Sequence, residues 1–477
     1  MKEKPKVLAK HGFEVEDEAA GEILEMVRSS SIRSRRSMTE KELIHLNQDW
    51  KNQNGPWSEI MGTIAENIIT KHIGKEARAN DIVVCPVDFM MSQDGTTPLT
   101  IRAFKEMNGK RVARPDRYAV VIDHNAPSPM ESVSNLHKEM RVFAKEQGSL
   151  LFDVGEGVCH VLVPEQGYAL PGSVIIGADS HTTTYGALNA FATGVGSTDM
   201  AAALISGKTW FKVPQTIKLE FAGKLPKGSY SKDIALRMCG KLTANGATYK
   251  ALEIRGEAIS SLSVEARMTI SNMAVETGAK VGLMTADQKV LDYVSGRAKY
   301  GFKGVEADVD AKYDQVLKED VSGLGPQIAC PPDVDNVVPI EKVIGQHLDQ
   351  VFIGTCTNGR IEDLKIVAEV MGKNKVAKGL RLIVAPASRE VLESAMDCGI
   401  IQKLVKAGAA VTTPSCGPCV GTCGGIPSDE EVVLSTANRN FKGRMGNTKA
   451  SVYLSSPATA AFSAIKGCIS DPREVLA

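Results

Sequence analysis

The chain has 477 residues, 43% of them hydrophobic, with 56 basic and 56 acidic side chains. That length can bury several cores, enough for about three domains without a disulfide scaffold, and zero net charge offers no polycationic face to nucleic acid or to an anionic membrane. No apolar run reaches membrane-spanning length and no leader follows the opening Met-Lys-Glu-Lys, so the sequence predicts a cytoplasmic protein that handles a small molecule, its ten cysteines kept as thiols or used as ligands.

Residues 1–55 differ in texture from the rest. "EVEDEAAGEILEMV" and "SSSIRSRRSMTEKEL" predict two short helices and a basic linker, with Arg33, Arg35 and Arg36 either solvated or forming an interaction arm. From Gly55 onward short apolar β-type runs alternate with helical patterns, the signature of an α/β fold. Within 56–212, "MSQDGTTP" supplies Gln93 and Asp94, the strand "RYAVVI" (117–122) runs into Asp123-His124, "GVCHVLVPEQG" carries His160, and "GSVIIGA" (172–178) runs into Asp179-Ser180-His181. "GVGSTD" (194–199) approaches a dinucleotide-binding glycine motif, but its third glycine is replaced by Asp199. A tight loop with Ser197 or Asp199 capping a helix is expected instead.

The segment 213–330 contributes Glu253 in "LEIRG", by itself an ordinary strand glutamate. In 331–477, the strand "DQVFIGT" (349–355) ends in Cys356-Thr-Asn-Gly-Arg360, and the helical period of Ile361, Leu364, Val367, Ala368 and Met371 puts that motif at a strand-to-helix turn. "GAAVTT" (408–413) ends in Pro-Ser-Cys416, and "TANRNFKGRMG" sets Arg439 and Arg444 beside Asn438 and Asn440, guanidinium forks suited to carboxylates. Four strands thus deliver polar chemistry just past their carboxyl ends, where open α/β sheets bind ligands, and they are candidates for one shared site.

Cys416 and Cys419 form a C-x2-C, which alone would suit half a zinc site or a thiol redox pair. Zinc lacks a nearby histidine to complete its set, and the position late in the chain is wrong for a thioredoxin-like motif. With Cys423 the spacing also misses the ferredoxin run. Cys356, Cys416 and Cys419 from two strand ends would instead hold three irons of a four-iron, four-sulfur cluster and leave the fourth iron open as a Lewis acid. Cys423 is then a neighbour or filler; Cys85, Cys159, Cys239, Cys330, Cys398 and Cys468 are scattered and read as packing residues.

Together "CTNGRIEDL", "PSCGPCVG", "DSHTTTYGA" and "NRNFKGRMG" resemble the aconitase superfamily from about Gly62 to the carboxyl terminus, and within it the large subunits of isopropylmalate dehydratases and homoaconitase-like hydro-lyases. The resemblance implies an α/β protein with a three-domain α/β/α core around one 4Fe-4S cluster with an open fourth iron, ligated by Cys356, Cys416 and Cys419. It implies catalytic roles for Asp123, His124, His160, Asp179, His181 and Glu253, and substrate contacts from Gln93, Ser180, Asn438, Arg439 and Arg444. No swivelling fourth domain with its Gly-Ser-Ser-Arg type loop follows, so a separate small subunit is expected to bring the catalytic serine. The implied reaction is dehydration and rehydration of a hydroxy di- or tricarboxylate, foremost 2-isopropylmalate to 3-isopropylmalate in leucine biosynthesis, with homoaconitate, citramalate, dimethylmalate and citrate as alternatives. An iron-sensing, RNA-binding relative is the rival from another class, and neutral charge argues against it.

Overall fold

The computed structural model describes residues 62–476, so the expected helices and basic linker of the first 55 residues lie outside the described residues. Among the described residues, eighteen strands are arranged as one ribbon and three sheets. In chain order they are β1 (Ile82–Pro86), β2 (Phe89–Gln93), β3 (Tyr118–Val121), β4 (Leu150–Phe152), β5 (Val174–Gly177), β6 (Phe191–Gly194), β7 (Lys208–Lys212), β8 (Thr216–Ala222) and β9 (Ala251–Arg255). There follow β10 (Val281–Leu283), β11 (Gln315–Asp320), β12 (Gln327–Ala329), β13 (Val337–Pro339), β14 (Gln350–Ile353), β15 (Arg381–Val384), β16 (Ala410–Val411), β17 (Val432–Ser435) and β18 (Ser451–Leu454).

The first sheet is parallel, in the order β4-β3-β2-β5-β6, and the middle one is parallel in the order β10-β9-β8-β11. The third has seven strands, β13-β12-β18-β17-β14-β15-β16, antiparallel only where β12 meets β13 and β18. The junction expected at residue 330 lies after β12, which already pairs into this third sheet. Strands β2, β3, β5 and β14 are buried at every residue, as apolar runs covered on both faces must be.

Local signals hold up at helix ends. Thr63 and Glu66 form a reciprocal capping box on the helix Ile64–Ile73, and Gly74 closes it in the left-handed conformation. The "GVGSTD" loop opens the helix Ser197–Ser206 with Gly196, not Ser197, at the cap and with no side-chain cap hydrogen bond; Asp199 is the acidic residue of the first turn.

The two larger sheets meet carboxyl edge to carboxyl edge. The Cys416 amide donates to the Asp123 carbonyl at 2.9 Å, the Val158 amide to the Ala387 carbonyl at 2.8 Å, and Gly157 forms a bridge with Ser388. The middle unit packs behind them through the 3-10 segment Ser180–Leu188, where the Met284 amide donates to the Gly186 carbonyl at 2.9 Å. A Cβ on Gly186 would fall 2.1 Å from the Gly282 carbonyl oxygen, so this approach requires glycine. The four strand ends named from sequence therefore belong to two sheets and share one cleft.

Candidate active site

The five-stranded sheet contributes two histidine–carboxylate pairs and the histidine of a third. Past β3, His124 Nδ1 lies 2.7 Å from Asp123 Oδ1, while Asp123 Oδ2 accepts the Cys159 amide at 2.8 Å. Past β5, Asp179 is the hub. Its Oδ1 sits 2.7 Å from His160 Nε2 and accepts the His181 amide at 2.8 Å; its Oδ2 accepts Gln93 Nε2 at 3.3 Å and lies 3.6 Å from His124 Nε2. The third pair is His181 Nε2 with Glu276 Oε1, 2.7 Å apart.

These pairs set different protonation states. Burial would push the Asp179 carboxyl up, yet His160 and His181 hold it well below the usual carboxylate range. Burial lowers His160 and outweighs the pull of Asp179, so its ring is neutral. For His124 burial is outweighed by Asp123 and Cys416, which raise it well above the ordinary histidine value. The site therefore pairs a proton-bearing imidazole with a neutral one across a single carboxylate.

The His124 turn has its own support. Asp94 Oδ1 accepts the amides of His124 and Asp123 at 2.8 and 3.3 Å, while Oδ2 accepts the Asn125 amide at 2.8 Å and lies 3.1 Å from His137 Nε2 on the helix Glu131–Gln147.

The seven-stranded sheet contributes the thiols. Cys356 follows β14 after Thr355, a β-branched residue held at φ +74°, a strained conformation that positions the next side chain. Cys416 caps the 3-10 turn Gly417–Val420 and Cys419 lies within it, and all three thiols are buried and unbridged. Asn272 Nδ2 donates to Cys356 Sγ at 3.1 Å, Asn438 Nδ2 does so at 3.4 Å, and Arg444 Nη2 donates to Cys419 Sγ at 3.4 Å.

Two observations test these residues against an iron–sulfur cluster. Among the described residues, the trio whose ligand atoms all lie within 4.8 Å of one another is Asp123, His124 and Cys416, not the three thiols. A single tetrahedral zinc, with Zn–S of about 2.3 Å, needs sulfurs about 3.8 Å apart, so the three thiols are not gathered as closely as one such ion requires. Second, buried polar atoms on this edge lack partners: Asn438 Oδ1, Arg444 Nε, Asn358 Oδ1 and Arg360 Nη2. Orphans of this kind mark a place where an ion or ligand completes the bonding. Burial, with Cys419 adding to it, pushes the Cys356 thiol up to about 12, and burial also raises Cys416, so a metal is what would deprotonate the set. The donor set fits the cluster.

Arg439 joins the two edges: its Nε donates to both Glu276 oxygens at 2.9 and 3.0 Å and its Nη2 to Ser180 Oγ at 3.0 Å. Burial opposes charge on Glu276, but His181 and Arg439 keep its carboxyl low.

The structure thus brings together Gln93, Asp123, His124, His160, Asp179, Ser180, His181, Cys356, Cys416, Cys419, Asn438, Arg439 and Arg444. Glu253 is not among them. It is buried on β9, where its oxygens accept the Ile64 amide at 3.1 Å and the Tyr313 hydroxyl at 2.6 Å and pair with Arg255 at 2.7 Å; none of these partners belongs to the site. The carboxylate that meets the histidines is Glu276, which sequence reasoning missed, together with Asn272. The available signal was a lone glutamate in "NMAVETG", ringed by apolar residues and hence buried with a partner. Cys423 sits beside the site, its Sγ 3.6 Å from the His124 carbonyl and 3.4 Å from that of Gly417. No helix among the described residues is long and apolar enough to cross a membrane.

The sequence model of the aconitase family (aconitate hydratase) matches residues 66–349 and 342–467. The chain is 52% identical over 415 residues to the 3-isopropylmalate dehydratase large subunit of Elusimicrobium minutum, covering 87% of this chain and 99% of that protein. It is 50% identical over 415 residues to 3-isopropylmalate dehydratase large subunit 1 of Methanopyrus kandleri, with the same coverage. The probable methanogen homoaconitase large subunit of Methanothermobacter thermautotrophicus is 46% identical over 417 residues, covering 86% of this chain and 97% of the relative.

Proposed function

The chain belongs to the aconitase family, and we propose on that basis that it is the large subunit of a hydro-lyase that interconverts 2-isopropylmalate and 3-isopropylmalate by dehydration and rehydration. One observation carries the reading: buried thiols from one sheet face three histidines of another, each paired with a carboxylate, and Arg439 bridges the two. Homoaconitate is the alternative substrate, the reaction named for relatives nearly as similar. Its chemistry is the same and only the substituent differs.

Cys356, Cys416 and Cys419 would hold the 4Fe-4S cluster, which when bound supplies a Lewis-acidic iron toward the substrate hydroxyl. The chain's own residues do the rest. Arg439, kept in plane by Glu276 and Ser180, and Arg444, held against Cys419, present guanidinium groups to carboxylates. His124, charged through Asp123, gives a proton from its ring to a departing hydroxyl. Asp179 keeps His160 and His181 oriented and draws Gln93 into the same wall. The serine that removes the carbon-bound proton would come from a separate small subunit, in keeping with the relatives' description as large subunits. A reducing compartment, the cytoplasm, would keep the thiols available.

The test is anaerobic reconstitution with iron and sulfide, followed by assay of 2-isopropylmalate and of homocitrate, which leads to homoaconitate, with and without the small-subunit partner. About four irons with acid-labile sulfide, and turnover of 2-isopropylmalate only with the partner, is the expected result. One zinc without sulfide, or full activity of the chain alone, would overturn the cluster or the two-subunit reading respectively.

A further inference from the structure

Lys232 stands on the first turn of the helix Ser231–Leu242 in the middle unit, wholly buried. Its Nζ donates to the carbonyls of Thr436 and Ala437, each at 2.7 Å, and among the described residues no carboxylate pairs with it. Neighbouring Asp233 faces elsewhere, its oxygens accepting the amides of Gln327 at 2.8 Å and Tyr230 at 2.7 Å. An ammonium buried on neutral partners costs several kcal/mol unless an anion lies near. Burial pushes Lys232 down to about 8, still protonated at neutral pH, and the groups that counter this are Cys356, Cys239, Asp363 and Cys419. Cys239 is held as a neutral thiol by burial, and Asp363 spends its oxygens on Asn358 and the Arg360 amide. Burial holds Cys356 as a thiol in the same way, and as a ligand of the cluster it would become the anion that the Lys232 ammonium faces. The two carbonyls also lie directly before Asn438 and Arg439, and the Thr436 carbonyl accepts Thr357 Oγ1 at 2.7 Å. The ammonium therefore sits where the Cys356 turn and the arginine turn meet.

We propose that Lys232 is the fixed counter-charge of the iron–sulfur site, offsetting part of the negative charge of the three thiolates and thereby setting the reduction potential of the cluster they hold. The inference rests on the assignment of Cys356, Cys416 and Cys419 as cluster ligands. A cation behind the cluster favours its reduced form, one of the means by which proteins tune such centres.

Wild-type protein, Lys232→Gln and Lys232→Arg are reconstituted anaerobically, analysed for iron and sulfide, and titrated with dithionite while the paramagnetic state is followed by electron paramagnetic resonance. Glutamine keeps two N–H donors for the carbonyls and removes the charge. The expected result is wild-type iron content but a lower midpoint in Lys232→Gln, by at least a tenfold change in the oxidised-to-reduced ratio, about 59 mV for one electron; Lys232→Arg restores the wild-type value. A Lys232→Gln protein with the wild-type midpoint overturns the proposal, since a purely structural anchor would leave the potential in place. If the glutamine variant does not fold, Lys232→Arg decides: an unshifted midpoint supports the charge, and a midpoint lowered as far as expected for glutamine overturns it. Wild-type protein that takes up no sulfide removes the ligand assignment itself, a separate failure.

Discussion

At the carboxyl edge of the five-stranded sheet, Asp179 meets His160, His181 and Gln93, and Asp123 meets His124. Across the cleft, at the edge of the seven-stranded sheet, Asn438 Oδ1, Arg444 Nε and Asn358 Oδ1 are buried without partners around three thiols. The first edge is closed on itself, its charges matched within hydrogen-bond distance. The second carries buried polar atoms that nothing among the described residues satisfies. Acid–base groups must hold their protonation states before substrate arrives, so they are paired internally; a cluster site needs donors left over.

The comparison can be broken most severely on the second edge. Cys356→Ser is expected to abolish iron and sulfide binding and activity together, read by metal analysis and assay of the reconstituted pair; a fully active variant would remove Cys356 as a ligand. On the first edge, Asp179→Asn should cut kcat by about 10²- to 10⁴-fold while iron content stays at the wild-type level. Loss of the cluster in that variant would mean the two edges are not separable. Where the edges meet, Glu276→Gln should lower kcat/KM by about 10- to 100-fold, the worth of a charge-assisted bond to Arg439 and His181. Glu253→Gln should instead cost about 1–3 kcal/mol of stability, measured by denaturant unfolding, and leave kcat alone.

The last prediction concerns the seam. Glu165 accepts Ser388 Oγ at 3.0 Å across the two sheets, and burial pushes its carboxyl up to about 7. A carboxyl raised in the folded state binds more protons folded than unfolded, so its contribution falls as pH rises from its unfolded value of about 4.5 to about 7. Glu165→Gln should therefore gain up to about 3 kcal/mol at pH 8 and almost nothing at pH 4, seen in unfolding curves at the two values. Equal effects at both would show that the seam does not titrate.

The strand ends, the candidate ligand cysteines and the Asp123–His124 pair were legible because each lies within a few residues of a pattern that local physics enforces. His181 with Glu276 was not, since its partners are 95 residues apart on different units. Periodicity reports which residues face a core and says nothing of which buried polar groups meet there. Glu253 was chosen over Glu276 through the family resemblance alone; as buried carboxylates the two differ only in their tertiary partners. The sharing of one cleft by two sheets was likewise hidden, because edge-to-edge docking depends on long-range contacts such as the bond from the Cys416 amide to the Asp123 carbonyl.

That last bond also orders events in time. Cys416 and His124 are 292 residues apart in the chain, and at synthesis rates of about 5–20 residues per second His124 is made about 15–60 s before Cys416. The histidine wall can therefore fold while the ribosome is still working, but no cysteine pocket is there to fill. Until Cys416 and Cys419 have been made the candidate ligand set is incomplete, so on that assignment a cluster would be held only once the chain has reached Cys419.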